Sequence, residues 1–443
     1  MSSETMINTT ESLCPVCMNK IAANIVLKDQ EYYMEKVCPE HGSFKSLVWR
    51  GSIPMESWVR KKGRVFIIDP QTEVEKGCPY DCGICSDHRQ YTCVALIEVT
   101  QNCNLNCKYC FADAEVGKAE DPTLEQIKFL YESVLKQSGV CSIQISGGEP
   151  TTRDDLPEII KIGTEMGFTF IQLNTNGIRI AEDEQFVKEL RTAGLSSVFL
   201  QFDGTKDSIY KELRGKRLLE IKRKAIENCE KNSIGVVLVP TVVPEVNVDN
   251  IGEIIDFALD NGPAVRGVHF QPVSYFGRIP FVPEDKDRIT IPEVIDEIDR
   301  QTEGRFSKES LKPTGSENSL CSFNGSYIIN GKNNIMNVTN FSSSCCSDQT
   351  EDGVSKCIDY TSRNWSYRKT EGKKENEATG WDEILYNIQH NTFSISGMAF
   401  QDVWNVNLER LKDCCIHIVS PEGKLIPFCA YNLTDANGKF LYR

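Results

Sequence analysis

Apolar runs alternate with amphipathic segments from residue 94 to about residue 273, which is the pattern of strands followed by helices. The predicted strands span residues 94–99, 142–145, 169–173, 197–201, 235–243 and 267–272. The predicted helices span residues 124–136, 156–166, 184–193, 217–231 and 250–261, with Thr123 and Asp154 as N-cap residues. Because strand–helix–strand connections are right-handed, these repeats predict an α/β fold, a partial (β/α)6 TIM barrel.

The segments on either side of the barrel have other patterns. Residues 25–27 and 32–37 have the composition of a short hairpin. Residues 305–380 are rich in Ser, Asn, Thr, Gly and Lys, and therefore predict long loops over a small domain. Residues 414–432 predict a second hairpin, with a turn at residues 421–424.

Three cysteines follow the first predicted barrel strand at the spacing C-x3-C-x2-C: Cys103, Cys107 and Cys110. A [4Fe–4S] cluster normally takes four cysteine thiolates, so three of them leave one iron open for a small molecule. An open iron indicates a cluster that takes part in chemistry. A zinc knuckle or a disulfide loop is the alternative, although structural zinc sites take four protein ligands.

Two knuckles near the N terminus have the form C-x2-C and C-x2-H, with about twenty residues between them. Their candidate ligands are Cys14, Cys17, Cys38 and His41. This spacing is typical of a zinc ribbon, in which four protein ligands leave no open position. We expect a structural zinc site, with iron in a rubredoxin-like site as the alternative.

Cys78, Cys82 and Cys85 repeat the C-x3-C-x2-C spacing, and Cys93 follows eight residues later. Four cysteines predict a closed, auxiliary [4Fe–4S] cluster. The alternative is a second cluster with an open iron, in which case Cys93 is free.

The C-terminal third also carries cysteines, both in its polar loops and on both arms of the predicted hairpin. We expect a third metal site from Cys321, Cys346, Cys415 and Cys429, taking one cysteine from each adjacent pair. Buried free thiols are the alternative. The chain then divides into a zinc-ribbon-like segment (1–55), an iron–sulfur segment (56–93), the barrel (94–304) and a Cys-rich C-terminal domain (305–443).

Polar clusters close several of the predicted barrel strands, where parallel α/β folds place their ligand sites. The clusters are Ser146-Gly-Gly-Glu-Pro150, Asn174-Thr-Asn-Gly177 and Gln201-Phe-Asp-Gly204. With the Cys103–Cys110 loop, this ordered set resembles the radical S-adenosylmethionine (radical SAM) superfamily. The resemblance implies the barrel fold, an open iron that binds SAM, and cleavage of SAM to methionine and a 5′-deoxyadenosyl radical. It also implies an electron donor such as a ferredoxin or flavodoxin.

The same resemblance assigns roles to individual residues. Gly147, Gly148 and Glu149 frame the methionine end of SAM. Asn174, Asn176, Gln201 and Asp203 are candidates to contact its ribose and amino-acid groups, and Gln271 faces the adenine or the substrate. Arg214 and Arg278 are candidates to bind a carboxylate or phosphate, with surface ion pairs as the alternative.

The Gly77–Asp113 stretch is more distinctive than the superfamily motif. Together with the N-terminal ribbon, Phe270-Gln-Pro-Val-Ser274 and Pro427-Phe-Cys-Ala-Tyr-Asn432, it resembles the archaeal tetraether lipid synthases. Related chains have been labelled 7,8-dihydro-6-hydroxymethylpterin methyltransferases. The resemblance implies C–C bond formation between the terminal carbons of lipid tails. The alternatives are a methyltransferase or other modifier of a small heterocycle such as a pterin, and a non-enzymatic iron–sulfur or zinc module.

The composition narrows these classes. With 443 residues, 40% of them hydrophobic, the chain can bury the cores of several domains. A net charge of −14 argues against unspecific nucleic-acid binding, which needs a basic face. Nineteen cysteines, without a signal-peptide pattern or a membrane-spanning run, indicate metal sites in place of disulfides. We expect a cytoplasmic protein of an anaerobic host, with peripheral membrane contact if the substrate is a lipid.

Overall fold

The computed structural model describes residues 4–60, 65–330, 334–339, 352–367 and 391–443. These residues form a four-stranded antiparallel sheet at the N terminus and a twelve-stranded mixed sheet. The small sheet carries the candidate zinc ligands, and the large sheet curls around the candidate active site.

The N-terminal sheet has its strands in chain order: β1 (Thr5–Leu13), β2 (Lys20–Lys28), β3 (Glu31–Cys38) and β4 (Gly42–Trp49). β2 and β3 are the predicted hairpin, with β2 beginning five residues earlier than predicted and each other strand end shifted outward by one residue. Ile25 and Met34 pack into the main core from these two strands. β1 was not predicted. Most of its residues are polar and exposed, so its sequence shows no clear apolar alternation.

The large sheet contains the six predicted barrel strands. Its members are β5 (Val94–Thr100), β6 (Ser142–Gly147), β7 (Ile171–Thr175), β8 (Ser197–Gln201), β9 (Gly235–Val239), β10 (Thr241–Val242), β11 (Val265–Pro272), β12 (Ser322–Ile329), β13 (Ile335–Asn337), β14 (Thr392–Met398), β15 (Ile416–Val419) and β16 (Leu425–Pro427). The order is β13-β12-β14-β11-β9-β8-β7-β6-β5-β15-β16, with β10 beside β11. The predicted strand over residues 235–243 is split at Pro240, which has no N–H for the ladder.

Helices follow most of the parallel strands. In chain order they are α1 (Met55–Trp58), α2 (Leu124–Ser138), α3 (Leu156–Glu165), α4 (Ile178–Glu182), α5 (Glu184–Ala193), α6 (Asp207–Arg214), α7 (Leu219–Lys231), α8 (Ile251–Asp260), α9 (Ile291–Gln301), α10 (Asp352–Trp365), α11 (Leu408–Lys412) and α12 (Phe428–Asn432). Thr123 caps α2 as predicted, in a capping box with Gln126. Asp154 is not the N-cap of α3; Asp155 holds that position, and Asp154 pairs with Arg179 at 2.9 Å.

Strands from residues 305–443 belong to the barrel sheet instead of a separate domain. β14 runs parallel to β11 at one edge, and β15 runs parallel to β5 at the other. Among the described residues, eight strands from β15 through β5 to β14 are therefore parallel. The C-terminal segment completes the barrel that the first six strands begin.

β12 shows why the polar 305–380 segment was predicted as loops. Ser322, Asn324 and Ser326 line the interior of the barrel, and the alternate residues Phe323 and Tyr327 pack in the core, with Phe323 also reaching the cavity. The face of β12 that borders the cavity is therefore mostly polar. Its sequence therefore lacks the apolar run of a buried strand. In the described ranges, no helix has both the length and the apolar character needed to cross a membrane.

Candidate active site and metal centres

The curled sheet surrounds a cavity of about 1730 Å³. Its wall includes Cys93 at the start of β5 and Gln271 near the end of β11, so the cavity follows the length of the strands. The predicted site residues that line it are Cys93, Cys103, Cys107, Cys110, Gly147, Gly148, Glu149, Asn174, Asn176, Gln201, Gln271 and Cys415. We call this cavity the lumen.

Cys103, Cys107 and Cys110 lie on the loop after β5, and all three thiols are electrostatic neighbours. Burial raises the pKa of Cys103 to about 12 and also raises the pKa of Cys110. A thiolate without a partner is costly there because it is removed from water. The three thiols on one loop fit a [4Fe–4S] cluster that keeps one iron open.

Arg278 fastens this cysteine loop to the segment after β11. Its backbone pairs with that of Cys110, at N···O distances of 2.9 and 3.2 Å. Gly277 permits the approach, since a Cβ there would lie 2.3 Å from the Cys110 carbonyl oxygen. The Arg278 guanidinium donates to four acceptors on the loop: Ala114 O at 2.6 Å, Asp113 Oδ1 at 3.1 Å, Cys107 O at 3.3 Å and Asn106 Oδ1. Arg278 therefore holds the loop, and the predicted ion-pair alternative is realised in its partly exposed pair with Asp113.

Gly147 and Gly148 let the end of β6 touch the start of the cysteine loop. A Cβ on Gly147 would lie 2.2 Å from Thr100 O, and one on Gly148 would lie 2.1 Å from Asn102 O. Gly147 also has a φ of +118°, a conformation that other residues rarely adopt. The N–H of Gly148 donates to Thr100 O at 2.8 Å. The two glycines are thus required because two backbone segments of this chain touch at the base of the loop.

Glu149 is buried and joins the ends of β6 and β7. Its carboxylate accepts from the Thr151 N–H and hydroxyl at 3.2 and 2.6 Å, from the Thr175 hydroxyl at 2.6 Å, and from the Asn176 N–H at 2.7 Å. These bonds occupy both oxygens. Its direct contact with SAM stays a prediction, whereas its role in positioning Asn176 follows from the geometry.

Two amide oxygens in the lumen are buried and have no hydrogen-bond partner among the described residues: Asn174 Oδ1 and Gln201 Oε1. Asn174 uses its other amide atom to donate to Ser146 at 3.2 Å. An unpaired buried acceptor destabilises the protein by about 1–3 kcal/mol. Both oxygens are therefore ready to accept N–H or O–H groups of a ligand.

Asp203 was predicted to contact SAM, and the structure contradicts this. It is fully buried and absent from the lumen wall, because both carboxylate oxygens accept from Arg214, at 2.6 and 2.7 Å. The Arg214 guanidinium lies beside the Cys107 thiol and lines the lumen. Asp203 therefore orients a cation next to the cysteine loop. The cluster Gln201-Phe-Asp203 was a signal for this site, but its partner on α6 was not predictable.

The four candidate ligands of the N-terminal knuckles come together as predicted. The ligand atoms of Cys14, Cys17, Cys38 and His41 all lie within 4.8 Å of one another. Cys17 Sγ and Cys38 Sγ are 3.9 Å apart, and Cys38 Sγ is 3.5 Å from His41 Nδ1. A tetrahedron with zinc–ligand bonds of about 2.0–2.3 Å has edges of roughly this length.

Comparisons with known proteins match both parts of the chain. Residues 97–258 match the family model of the radical SAM superfamily, and residues 6–50 match the HMPTM N-terminal zinc ribbon domain. A 7,8-dihydro-6-hydroxymethylpterin dimethyltransferase of Methanocaldococcus jannaschii is 35% identical over 472 residues, covering 96% of this chain and 93% of that protein. The chain belongs to the radical SAM superfamily. Within it, the chain belongs to the family of this M. jannaschii relative.

Other radical SAM matches are partial. A probable GTP 3′,8-cyclase of Methanococcus aeolicus is 32% identical over 183 residues, which is 40% of this chain and 59% of that protein. The crystal structure of Streptococcus suis SuiB has a TM-score of 0.40 at 17% identity, over 49% of this chain and 46% of that one. Membership in the superfamily makes a [4Fe–4S] cluster and SAM the cofactors of this protein, and its N-terminal domain is a zinc ribbon.

A second cysteine loop lies between the ribbon and the radical SAM barrel. The hydrogen bond that the Cys82 thiol donates to Cys78, together with burial and the nearby Cys85, raises the pKa of Cys82. These three thiols are therefore neighbours, as the repeated spacing predicts. Cys93 lies at the start of β5, and its N–H donates to Cys415 O at 2.8 Å. Its part as the fourth ligand stays a prediction.

The C-terminal cysteines cluster around Cys414, and the part of Cys415 as a metal ligand stays a prediction. Cys321, Cys415 and Cys429 are all electrostatic neighbours of Cys414, and Arg410 Nη2 donates to Cys321 Sγ at 3.2 Å. Cys415 also lines the lumen, because successive residues that enter a strand face opposite sides. Cys429 lies on α12 and not on a hairpin arm. Cys346 lies outside the described residues.

Proposed function

We propose that this protein is a radical SAM methyltransferase whose substrate is a small polar heterocycle of the pterin class. The observation that carries the proposal is a set of amide side chains on the lumen wall: Gln144, Gln172, Asn174, Gln201 and Gln271. Amides offer donors and acceptors that match the edges of a heterocycle. The full-length similarity to a protein named for pterin dimethylation supports the same substrate class.

The lipid interpretation has less support. Two alkyl chains would need a tunnel with continuous apolar walls, whereas five amide side chains interrupt the largely apolar wall of the lumen. Full-length similarity also favours the pterin alternative over C–C bond formation between lipid tails. Reaction with a diether lipid is therefore the alternative outcome of the experiment.

In the proposed reaction, Cys103, Cys107 and Cys110 hold the cluster whose open iron binds SAM. When bound, the cluster supplies the electron that splits SAM into methionine and a 5′-deoxyadenosyl radical. Arg214 places a fixed positive charge beside Cys107, and the unpaired Asn174 oxygen accepts a donor of the ligand. The lumen would hold the substrate carbon within reach of the radical, which would take a hydrogen atom from it. Because this cleavage leaves the methyl group on methionine, the transferred methyl would come from a second SAM, with one further electron from the external donor and release of S-adenosylhomocysteine.

The remaining cysteines belong to two further proposed centres. Cys78, Cys82, Cys85 and Cys93 are proposed to hold an auxiliary [4Fe–4S] cluster. Cys321, Cys414 and Cys429 are proposed to hold a third metal site, with its fourth ligand from elsewhere. An external one-electron donor, such as a ferredoxin or flavodoxin, is proposed to reduce the protein.

The test uses anaerobically reconstituted full-length protein with dithionite, SAM and 7,8-dihydro-6-hydroxymethylpterin. We expect pterin-dependent formation of 5′-deoxyadenosine and a pterin mass increase of one or two methyl groups. Diether lipid in place of the pterin tests the lipid interpretation in parallel. Loss of lipid hydrogens with an untouched pterin would overturn the proposal.

Two variants separate cluster chemistry from folding. Cys107→Ala is expected to abolish 5′-deoxyadenosine formation, because it removes one of three ligands to the open cluster. Cys229→Ala is the matched control, since Cys229 is a buried thiol on α7 away from the lumen wall. Equal activity in both variants would contradict the assignment of Cys107.

A further inference from the structure

A buried carboxylate stands in the wall of the lumen without a compensating charge. Glu317 is 6% exposed and lines the cavity. Within the described part of the chain it forms no ion pair with an arginine or lysine. Moving an ionised carboxylate out of water is expensive unless donors or a counter-charge surround it. Glu317 has no role in the cleavage of SAM proposed for this site.

Hydroxyl groups hold the Glu317 carboxylate in one orientation. The Ser322 hydroxyl donates to Oε1 and the Ser316 hydroxyl donates to Oε2. Thr314 and Ser322 share a further hydrogen bond at 2.7 Å. The Cys415 thiol is a weak second donor to Oε2, with its Sγ at 3.9 Å. Each carboxylate oxygen can accept about two hydrogen bonds, so Oε1 keeps capacity for a further donor, and a ligand N–H can replace the weak thiol contact at Oε2. The carboxylate is thus fixed in place and only partly satisfied.

Three aromatic side chains of the lumen wall lie near Glu317, since His269 is its electrostatic neighbour. The rings of Phe199 and His269 are 5.3 Å apart between centroids, and those of Phe199 and Trp365 are 5.4 Å apart. Burial lowers the pKa of His269 to about 4, so this imidazole is neutral at pH 7 and does not neutralise Glu317. All three side chains line the lumen. A planar ring that entered here would find aromatic surface next to a carboxylate.

We propose that Glu317 determines substrate specificity by binding the paired N–H donors of a 2-amino-4-oxopyrimidine ring. The ring N3–H and the exocyclic amino group of such a heterocycle point the same way and match the two oxygens of a carboxylate, as a guanidinium does. The inference rests on the proposed function and deepens it, because it names the edge of the pterin that the protein recognises. Phe199 and Trp365 supply the surface for the ring.

The position of Glu317 also orients the substrate. Glu317 is an electrostatic neighbour of His269, which lies two residues before Gln271 on β11. Two residues of a strand span roughly 7 Å. A fused two-ring heterocycle anchored at Glu317 therefore extends towards Gln271 and the strand ends that carry the cysteine loop. Its pyrazine ring and 6-substituent, and not its amino-pyrimidine ring, then face the radical.

Equilibrium dialysis with the reconstituted protein tests the proposal. The probes are 6-hydroxymethylpterin and 6-hydroxymethyllumazine, which carries a carbonyl in place of the 2-amino group. We expect the wild type to prefer the pterin, and Glu317→Gln to weaken pterin binding by about 10- to 100-fold, as loss of hydrogen bonds to a charged group does. Binding of lumazine should change much less, so the preference should disappear.

Controls separate the possible outcomes. Glu309→Gln alters an exposed carboxylate eight residues away and should leave the preference intact. Glu317→Ala checks the result with a variant that has no amide, and iron content and thermal unfolding report whether each variant is assembled. A preference retained in both Glu317 variants overturns this inference alone. Iron loss confined to them overturns it too, because the carboxylate would then serve a metal site. A wild type that does not prefer the pterin overturns the proposed function as well.

Discussion

Removal of the Arg278 side chain should release the cysteine loop from the barrel. The guanidinium makes four hydrogen bonds to this loop and is 23% exposed. At about 1 kcal/mol for each bond of a partly exposed group, Arg278→Ala should destabilise the closed loop by about 4 kcal/mol. Since every 1.4 kcal/mol is a factor of ten, the open loop should become roughly a thousandfold more populated.

Amide hydrogen exchange of residues 103–114 in the metal-free protein measures this opening directly. Iron content after reconstitution then reports whether the loop still assembles its cluster, and we expect it to fall. Arg300→Ala is the matched control, because the Arg300 side chain is 66% exposed and its ion pair in the described part of the chain is with Glu297 on its own helix. Wild-type exchange and iron content in Arg278→Ala would refute the conclusion that this arginine holds the loop.

Three further changes test the site. Gly148→Ala should abolish SAM cleavage and loosen the loop, since its Cβ would lie 2.1 Å from Asn102 O; an active, fully loaded variant would contradict the contact. Asp203→Asn should leave the iron content unchanged but shift the reduction potential of the cluster, because Arg214 loses its ionic partner. Electron paramagnetic resonance measures the potential, and an unchanged value would show that Arg214 keeps its position without the Asp203 charge. Cys414→Ala should lower the iron bound per chain more than Cys415→Ala, and equal losses would argue against the reassigned third site.

The barrel strands and the N-terminal metal site were predictable because their signals are local. Apolar runs marked the six parallel strands, and knuckle spacing marked the four ligands from Cys14 to His41. The sequence did not show that Asp203 pairs with Arg214. Arg214 lies on α6, a helix that the hydrophobic pattern did not predict. The sequence also did not separate Cys414 from Cys415, whose directions depend on how the chain enters β15.

By itself, then, the sequence determined the superfamily, the open-iron cysteine loop and the ribbon, since backbone geometry brings ligands a few residues apart into one place. Only the tertiary structure decided which polar groups share the lumen. Glu317 meets Cys415 and His269 across long stretches of chain, and β12 faces them with polar residues that resemble a loop in sequence. Such contacts arise when the edges of the sheet curl towards each other, and no local pattern encodes that closure.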